Sequence, residues 1–130
     1  MINVVIDTNV YISSVIKPGG IPTAVIDIAT TGGDVELIYN LEIFAEYDRV
    51  FSYPKLKIPP EKKLMILTEI KNSGIIVIPT KSDIIFKDES DRIFYDTAKH
   101  SGAILITGNL KDFPKEDFIM SPADFVGKYG

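Results

Sequence analysis

The chain contains no cysteine. That absence rules out a disulfide framework, a thiolate zinc site and a cysteine nucleophile. Long hydrophobic runs are missing too: nothing approaches membrane-spanning length. The N-terminus enters Val4-Val5-Ile6-Asp7 without a basic stretch, a signal-length apolar segment or a cleavage pattern. A cytoplasmic protein with no membrane partner is expected. Positive charge is scarce, with 14 Lys and Arg against 18 Asp and Glu for a formal net charge of −4. A protein that holds nucleic acid mainly through a broad basic surface is thereby disfavoured, since that mode depends on many Lys and Arg contacts to phosphates. The scarcity does not argue against a site in which several acids surround divalent cations, because an occupied site is far less negative than its residue count. The single histidine, His100, lies near a helix end and reads as a surface or dipole-facing residue rather than a catalytic base. No G-x-G-x-x-G follows the first apolar run, which weighs against a dinucleotide-binding domain. Internal repeats and low-complexity tracts are likewise absent.

What is present fits one ordinary domain. The 130 residues are 45% hydrophobic and 25% charged, enough apolar material for a core. Apolar runs rich in β-branched residues at 4–6, 75–78 and 103–106, with a fourth at 35–39, read as buried parallel strands. Between them, helical spacing occupies 21–30, 41–51, 61–72 and 88–100. Lys17-Pro18-Gly19-Gly20 and Thr31-Gly32-Gly33-Asp34 punctuate turns, Pro59-Pro60 sets up a helix start, and none reads as a domain linker. The alternation predicts a single α/β domain over residues 1–130, a three-layer α/β/α sandwich with a mainly parallel central sheet.

Several acids fall where such a fold gathers ligands. Asp7 directly follows the first apolar run, at the carboxyl end of the expected first strand, where open α/β sheets bind ligands. An equally good account makes it the cap of a helix starting at Thr8 or Asn9. In segment 41–51, Ile43, Phe44, Tyr47, Val50 and Phe51 form one apolar stripe, with Glu46 about 100° and Glu42 about 140° from its centre. Glu46 then sits at the border of the core, within reach of a cleft, or else is a surface acid paired with Arg49. In segment 88–100, Ile93, Phe94, Thr97 and Ala98 pack inward, Asp91 lies at the stripe's border, and Asp88 and Asp96 fall further round. Capping by Asp88 or Ser90, with Asp91 in the positive first turn, accounts for these acids equally well. Beyond the run 103–106, Thr107-Gly108-Asn109-Leu110-Lys111-Asp112 forms a turn carrying an amide and an acid. If the strands at 4–6 and 103–106 are neighbours, Asp7 and Asp112 emerge on one rim with Glu46 and Asp91 leaning in. Carboxylates so placed repel one another unless a cation lies between them, and an oxygen-only donor set suits Mg²⁺ or Mn²⁺ rather than zinc.

In these motifs the chain resembles the PIN-domain family, especially its toxin-like, VapC-type ribonuclease branch. Val4-Val5-Ile6-Asp7-Thr8-Asn9-Val10 is similar to the family's first motif, an apolar strand ending in Asp-Thr-Asn. Asn40-Leu41-Glu42-Ile43-Phe44-Ala45-Glu46-Tyr47 resembles the second, with Glu46 at the acid. The segment from Asp88 to Ala98 resembles the third through Asp91, and that from Ile104 to Phe113 the fourth through Asp112. Ser121-Pro122-Ala123-Asp124-Phe125 resembles a common closing segment. The likeness spans nearly the whole chain in order. It departs at Asn109, where many relatives carry Asp, which leaves Asp112 as the fourth acid.

The resemblance implies a ribonuclease in which Asp7, Glu46, Asp91 and Asp112 hold one or two Mg²⁺ or Mn²⁺ ions, directly or through water, for in-line attack on an RNA phosphodiester. Thr8, Asn9, Thr107 and Asn109 would orient the carboxylates and water. It further implies the toxin of a toxin–antitoxin pair, a homodimer, and an antitoxin protein covering the cleft. A PIN-like module that binds RNA or a protein without turnover remains the main alternative. A phosphoacceptor receiver domain ranks below it, because it requires adjacent acids where this chain has Asp7-Thr8-Asn9. Phe44, Tyr47, Phe51, Tyr53 and Phe94 read as core or dimer contacts rather than base-stacking platforms. Lys62-Lys63 reads as a solvated helix start.

Overall fold

The computed structural model describes all of residues 1–130. The four apolar runs supply β1 (Ile2–Ile6), β2 (Val35–Tyr39), β3 (Ile75–Ile76) and β4 (Ile104–Ile106), and β5 (Ile119–Met120) joins them. Together they make one five-stranded sheet in the order β3-β2-β1-β4-β5, parallel throughout. It is flanked by α1 (Thr8–Ile16), α2 (Ile21–Thr31), α3 (Leu41–Phe51), α4 (Pro60–Ser73), α5 (Arg92–Ser101) and α6 (Pro122–Tyr129). Successive strand residues face opposite sides of a sheet. Val4, Val5 and Ile6 are nevertheless all fully buried, so both faces of β1 are covered, as an α/β/α sandwich requires. No helix is long and apolar enough to cross a membrane.

Local chemistry explains most boundaries. Asn40 caps α3 by accepting from the Ile43 amide at 2.9 Å, and Ser121 caps α6 by accepting from the Asp124 amide at 3.1 Å. Pro22, Pro60 and Pro122 stand in the first turns of α2, α4 and α6, where a missing N–H costs nothing. Gly102, at φ +66°, ends α5 in the left-handed conformation and lets the chain turn at once into β4.

The strand order carries the functional consequence. From β1 the chain steps outward to β2 and β3, then crosses back to lay β4 on the opposite side of β1. This reversal beside β1 is a topological switch point, and the carboxyl ends of the strands flanking one open into a crevice.

Two elements and one residue differ from expectation. β3 is only two residues long instead of 75–78, because the chain leaves the ladder after one more amide: Val77 N–H donates to Tyr39 O at 2.9 Å, while the Asn40 side chain takes Val77 O at 3.1 Å. Pro79 then has no N–H with which to continue. The departing segment runs over α5, where the Ser82 amide donates to Asp96 at 3.1 Å and Arg92 donates to Ser82 O at 2.6 Å and to Ile84 O. Asp96, placed away from the core by periodicity, is consequently 4% exposed. The helix expected from residue 88 begins instead at Arg92, preceded by a 3₁₀ turn at Glu89–Asp91.

Candidate active site

The last residues of β1 and β4, Ile6 and Ile106, are paired in register, so Asp7 and Thr107 leave the sheet side by side at the switch point. The Asp7 carboxylate is buried and takes three hydrogen bonds. Oδ1 accepts from the Thr8 amide at 2.7 Å; Oδ2 accepts from the Thr107 hydroxyl at 2.8 Å and the Asn9 side-chain amide at 3.0 Å. Asn9 Oδ1 accepts in turn from the Gly108 amide at 3.0 Å, and the Thr107 hydroxyl accepts from the Asn109 amide at 3.0 Å. A Cβ at Gly108 would stand 3.2 Å from Asn9 Oδ1, so this close approach favours glycine. Helix capping and cleft lining are therefore not alternatives for Asp7: one oxygen caps α1 and the other is aligned by the loop after β4. Burial pushes the Asp7 carboxyl above the usual carboxylate range, against the pull of these three donors, and the charge of Glu46 adds to the push.

Tyr47 positions the next acid. Ile43, Tyr47 and Phe51 of α3 are buried, and the Tyr47 hydroxyl donates to the carbonyl of Ile6, the residue before Asp7. This contact fixes α3 against the end of β1. Glu46, one residue earlier, lines the cleft with a side chain 19% exposed, whereas Glu42 is exposed and lies outside it. The pairing with Arg49 is formed as well: its Nη2 reaches Glu46 Oε2 at 2.6 Å and Oε1 at 2.7 Å.

Asp91 stands at the start of α5 without making a capping hydrogen bond. Burial, then the charges of Asp7, Asp88, Asp112 and Glu46, push its carboxyl up to about 7. The cap in this segment is Asp88, which accepts from the Ser90 amide at 3.0 Å and its hydroxyl at 2.7 Å. Those bonds, with Arg49 nearby, hold Asp88 below the usual range. Asp112 closes a 3₁₀ turn at Leu110–Asp112 and lines the cleft together with Asn109.

The resulting cleft, about 710 Å³, contains Asp7, Glu46, Asp91 and Asp112 along with Thr8 and Asn9, against an apolar wall of Ile12, Val50 and Phe94. Thr107 lies beneath it, fully buried, and the Thr8 hydroxyl is buried without a partner. Lys87 and Ser90 also line the cleft; the sequence holds no signal for Lys87 beyond its neighbour Asp88. Of the aromatics expected as core or dimer contacts, Tyr47, Phe51 and Phe94 are buried in the core and Phe44 is half-buried against it, whereas Tyr53 is half-buried outside the core, its hydroxyl accepting from Arg49. His100 is exposed at the end of α5.

This donor set fits a hard divalent cation in kind. It is all oxygen, and Asp7, Asp91 and Asp112 have no cationic partner to relieve their mutual repulsion. The side chains do not grip an ion as they stand, for no three His, Cys, Asp or Glu residues are gathered tightly enough to ligate one. Ligation would need side-chain movement or water to close those gaps, and Glu46 would have to leave Arg49 to take part.

The family model described as the PIN domain matches residues 3–111. An uncharacterized protein of Methanocaldococcus jannaschii is 36% identical over 114 residues, covering 83% of this chain and 71% of that protein. No solved structure matches the chain significantly. PIN domains are in general nucleases, and with residues 3–111 matched, the chain belongs to the PIN-domain family.

Proposed function

We propose that this chain is a metal-dependent ribonuclease that hydrolyses RNA phosphodiester bonds. The observation that carries the reading is the convergence of Asp7, Glu46, Asp91 and Asp112 on one cleft at the switch point, with Asp91 raised to about 7. That rise comes first from burial and then from the neighbouring carboxylates, which stand together without a counter-ion. One or two Mg²⁺ or Mn²⁺ ions held there would supply positive charge to the scissile phosphate and a more acidic water as nucleophile.

The chain's own residues divide the remaining work. Asp7, aligned by Thr107 and Asn9, presents a rigid oxygen on the β1 side. Asp91, its carboxyl raised to about 7, would be one of the residues holding a cation, and a bound cation would favour its charged form. Asp112 and Asn109 face them from the loop after β4. Asn109 adds polarity there without a second carboxylate from that loop in the cleft.

The family resemblance supports the toxin branch, with a homodimer and an antitoxin over the cleft as its associated partners. A second reading, a module that binds RNA without cutting it, is favoured by one feature: Glu46 is engaged by Arg49 and no three acids stand within reach of one ion. The deciding experiment is cleavage of a mixed labelled RNA pool with Mn²⁺, Mg²⁺ or EDTA, using the parent, Asp7→Asn and Asp91→Asn. Metal-dependent products lost in both variants are expected. An inert parent that is folded and metal-loaded would favour the non-cutting module.

A further inference from the structure

A second cavity, about 650 Å³, adjoins the cleft across the 3₁₀ turn at Leu110–Asp112. The turn is a shared wall: Asn109 and Asp112 line the carboxylate cleft, while Leu110 and Lys111, between them in sequence, line the second cavity. Lys115 also borders this cavity; both lysines are exposed and neither is in a salt bridge. Leu110 is 45% exposed, a large apolar side chain left open. Phe113 behind it is nearly buried, its ring edge-on to Phe86 with centroids 6.2 Å apart, which makes that wall firm. Two acids share the cavity. Glu116 is held by the Tyr95 hydroxyl, and Asp117 follows it.

These groups match the parts of a nucleotide. Unpaired lysines suit phosphates, an exposed apolar surface suits a base face, and carboxylates accept from ribose hydroxyls and base amino groups. The volume lies within the roughly 300–1,000 Å³ typical of small-molecule sites. Resting on the reading of the carboxylate cleft as an RNA site, we infer that this cavity seats a nucleotide flanking the scissile phosphate of single-stranded RNA, with Lys111 and Lys115 on its phosphates and Leu110 beneath its base. The strand then crosses the Leu110–Asp112 turn between the two cavities.

The test is fluorescence-anisotropy binding of a labelled trinucleotide and a labelled octanucleotide of RNA in the Asp91→Asn background, with and without Lys111→Glu plus Lys115→Glu. The octanucleotide should lose roughly tenfold or more in affinity on charge reversal, and its log K against log salt slope should fall by about 1.4 for two lost single-strand phosphate contacts. The trinucleotide, which can place one flanking nucleotide in the cavity, should lose affinity as well, with a smaller change in its salt slope. Equal octanucleotide binding and an equal salt slope in both proteins would overturn the flanking site and leave the carboxylate reading intact. Binding of neither RNA by the parent or by the Asp91→Asn protein would overturn both.

Discussion

The Thr107 hydroxyl donates to Asp7 Oδ2 at 2.8 Å, joining two residues exactly one strand pairing apart in space and 100 apart in sequence. Both are buried, and the same Asp7 oxygen also accepts from Asn9. Replacing Thr107 with Val keeps the shape but withdraws one of the two donors that align this oxygen. Thr107→Val should destabilise the protein by about 1.5–3 kcal/mol, the range for a hydrogen bond to a charged group, whereas Thr107→Ser should retain most of that stability. Urea unfolding at neutral pH measures both; equal loss in the two variants would point to packing of the methyl group instead.

Asp91 makes the stability of the metal-free protein depend on pH. Its carboxyl is raised from an ordinary 3.8 to about 7, so between these values the folded state binds more protons than the unfolded one. The contribution of Asp91 to stability is therefore most favourable below this window, falls as pH rises through it, and levels off above about 7. Asp7, also raised, acts in the same direction. Asp91→Asn should flatten the profile, and Mn²⁺ should stabilise the parent most on the alkaline side. A parent profile that climbs from pH 4 to 7 would contradict the charge crowding.

Much of this arrangement was legible in the sequence, and the reasons differ by element. The runs at 4–6 and 103–106 are buried on both faces, so continuous apolar stretches marked them as central strands and placed Asp7 at a strand end. The stripe in α3 separated Glu46 from Glu42 because helical periodicity tracks burial when one face alone meets the core. Asp96 defeated the same logic: an irregular segment, 78–87, covers the other side of α5, and coverage by irregular chain leaves no period to read. β5, at two residues, is too short to show a pattern. The engagement of Glu46 by Arg49 could be listed as an option from spacing, but whether it coexists with a place in the cleft depends on the tertiary anchor at Tyr47.

Arg49 competes with any cation for Glu46. Arg49→Ala should tighten Mn²⁺ binding severalfold, as read by isothermal titration calorimetry, with little change in thermal stability because the arginine is exposed. Weaker Mn²⁺ binding in the variant would mean that Glu46 is better placed with its partner than without it.

Two buried tyrosines should respond to the same substitution with opposite signs. The Tyr47 hydroxyl donates to Ile6 O, so Tyr47→Phe strands a buried carbonyl and should cost about 1–3 kcal/mol. The Tyr11 hydroxyl is buried with no partner, 5.0 Å away between ring centroids, and Tyr11→Phe should leave stability equal or higher. Denaturant midpoints of the two variants decide; a fall in both would show that Tyr11 has a partner such as ordered water.

The pairing of β1 with β4 also sets when the cleft can exist. Asp7 is synthesised 100 residues before Thr107, whose hydroxyl aligns it, and the opposing Asp112 comes later still. A growing polypeptide therefore carries single acids and no assembled cleft while it is still attached beside the ribosome's own RNA, and the site closes only when the strand at 104–106 is inserted. The order of synthesis thus delays the assembly of the carboxylates until the strand at 104–106 has emerged.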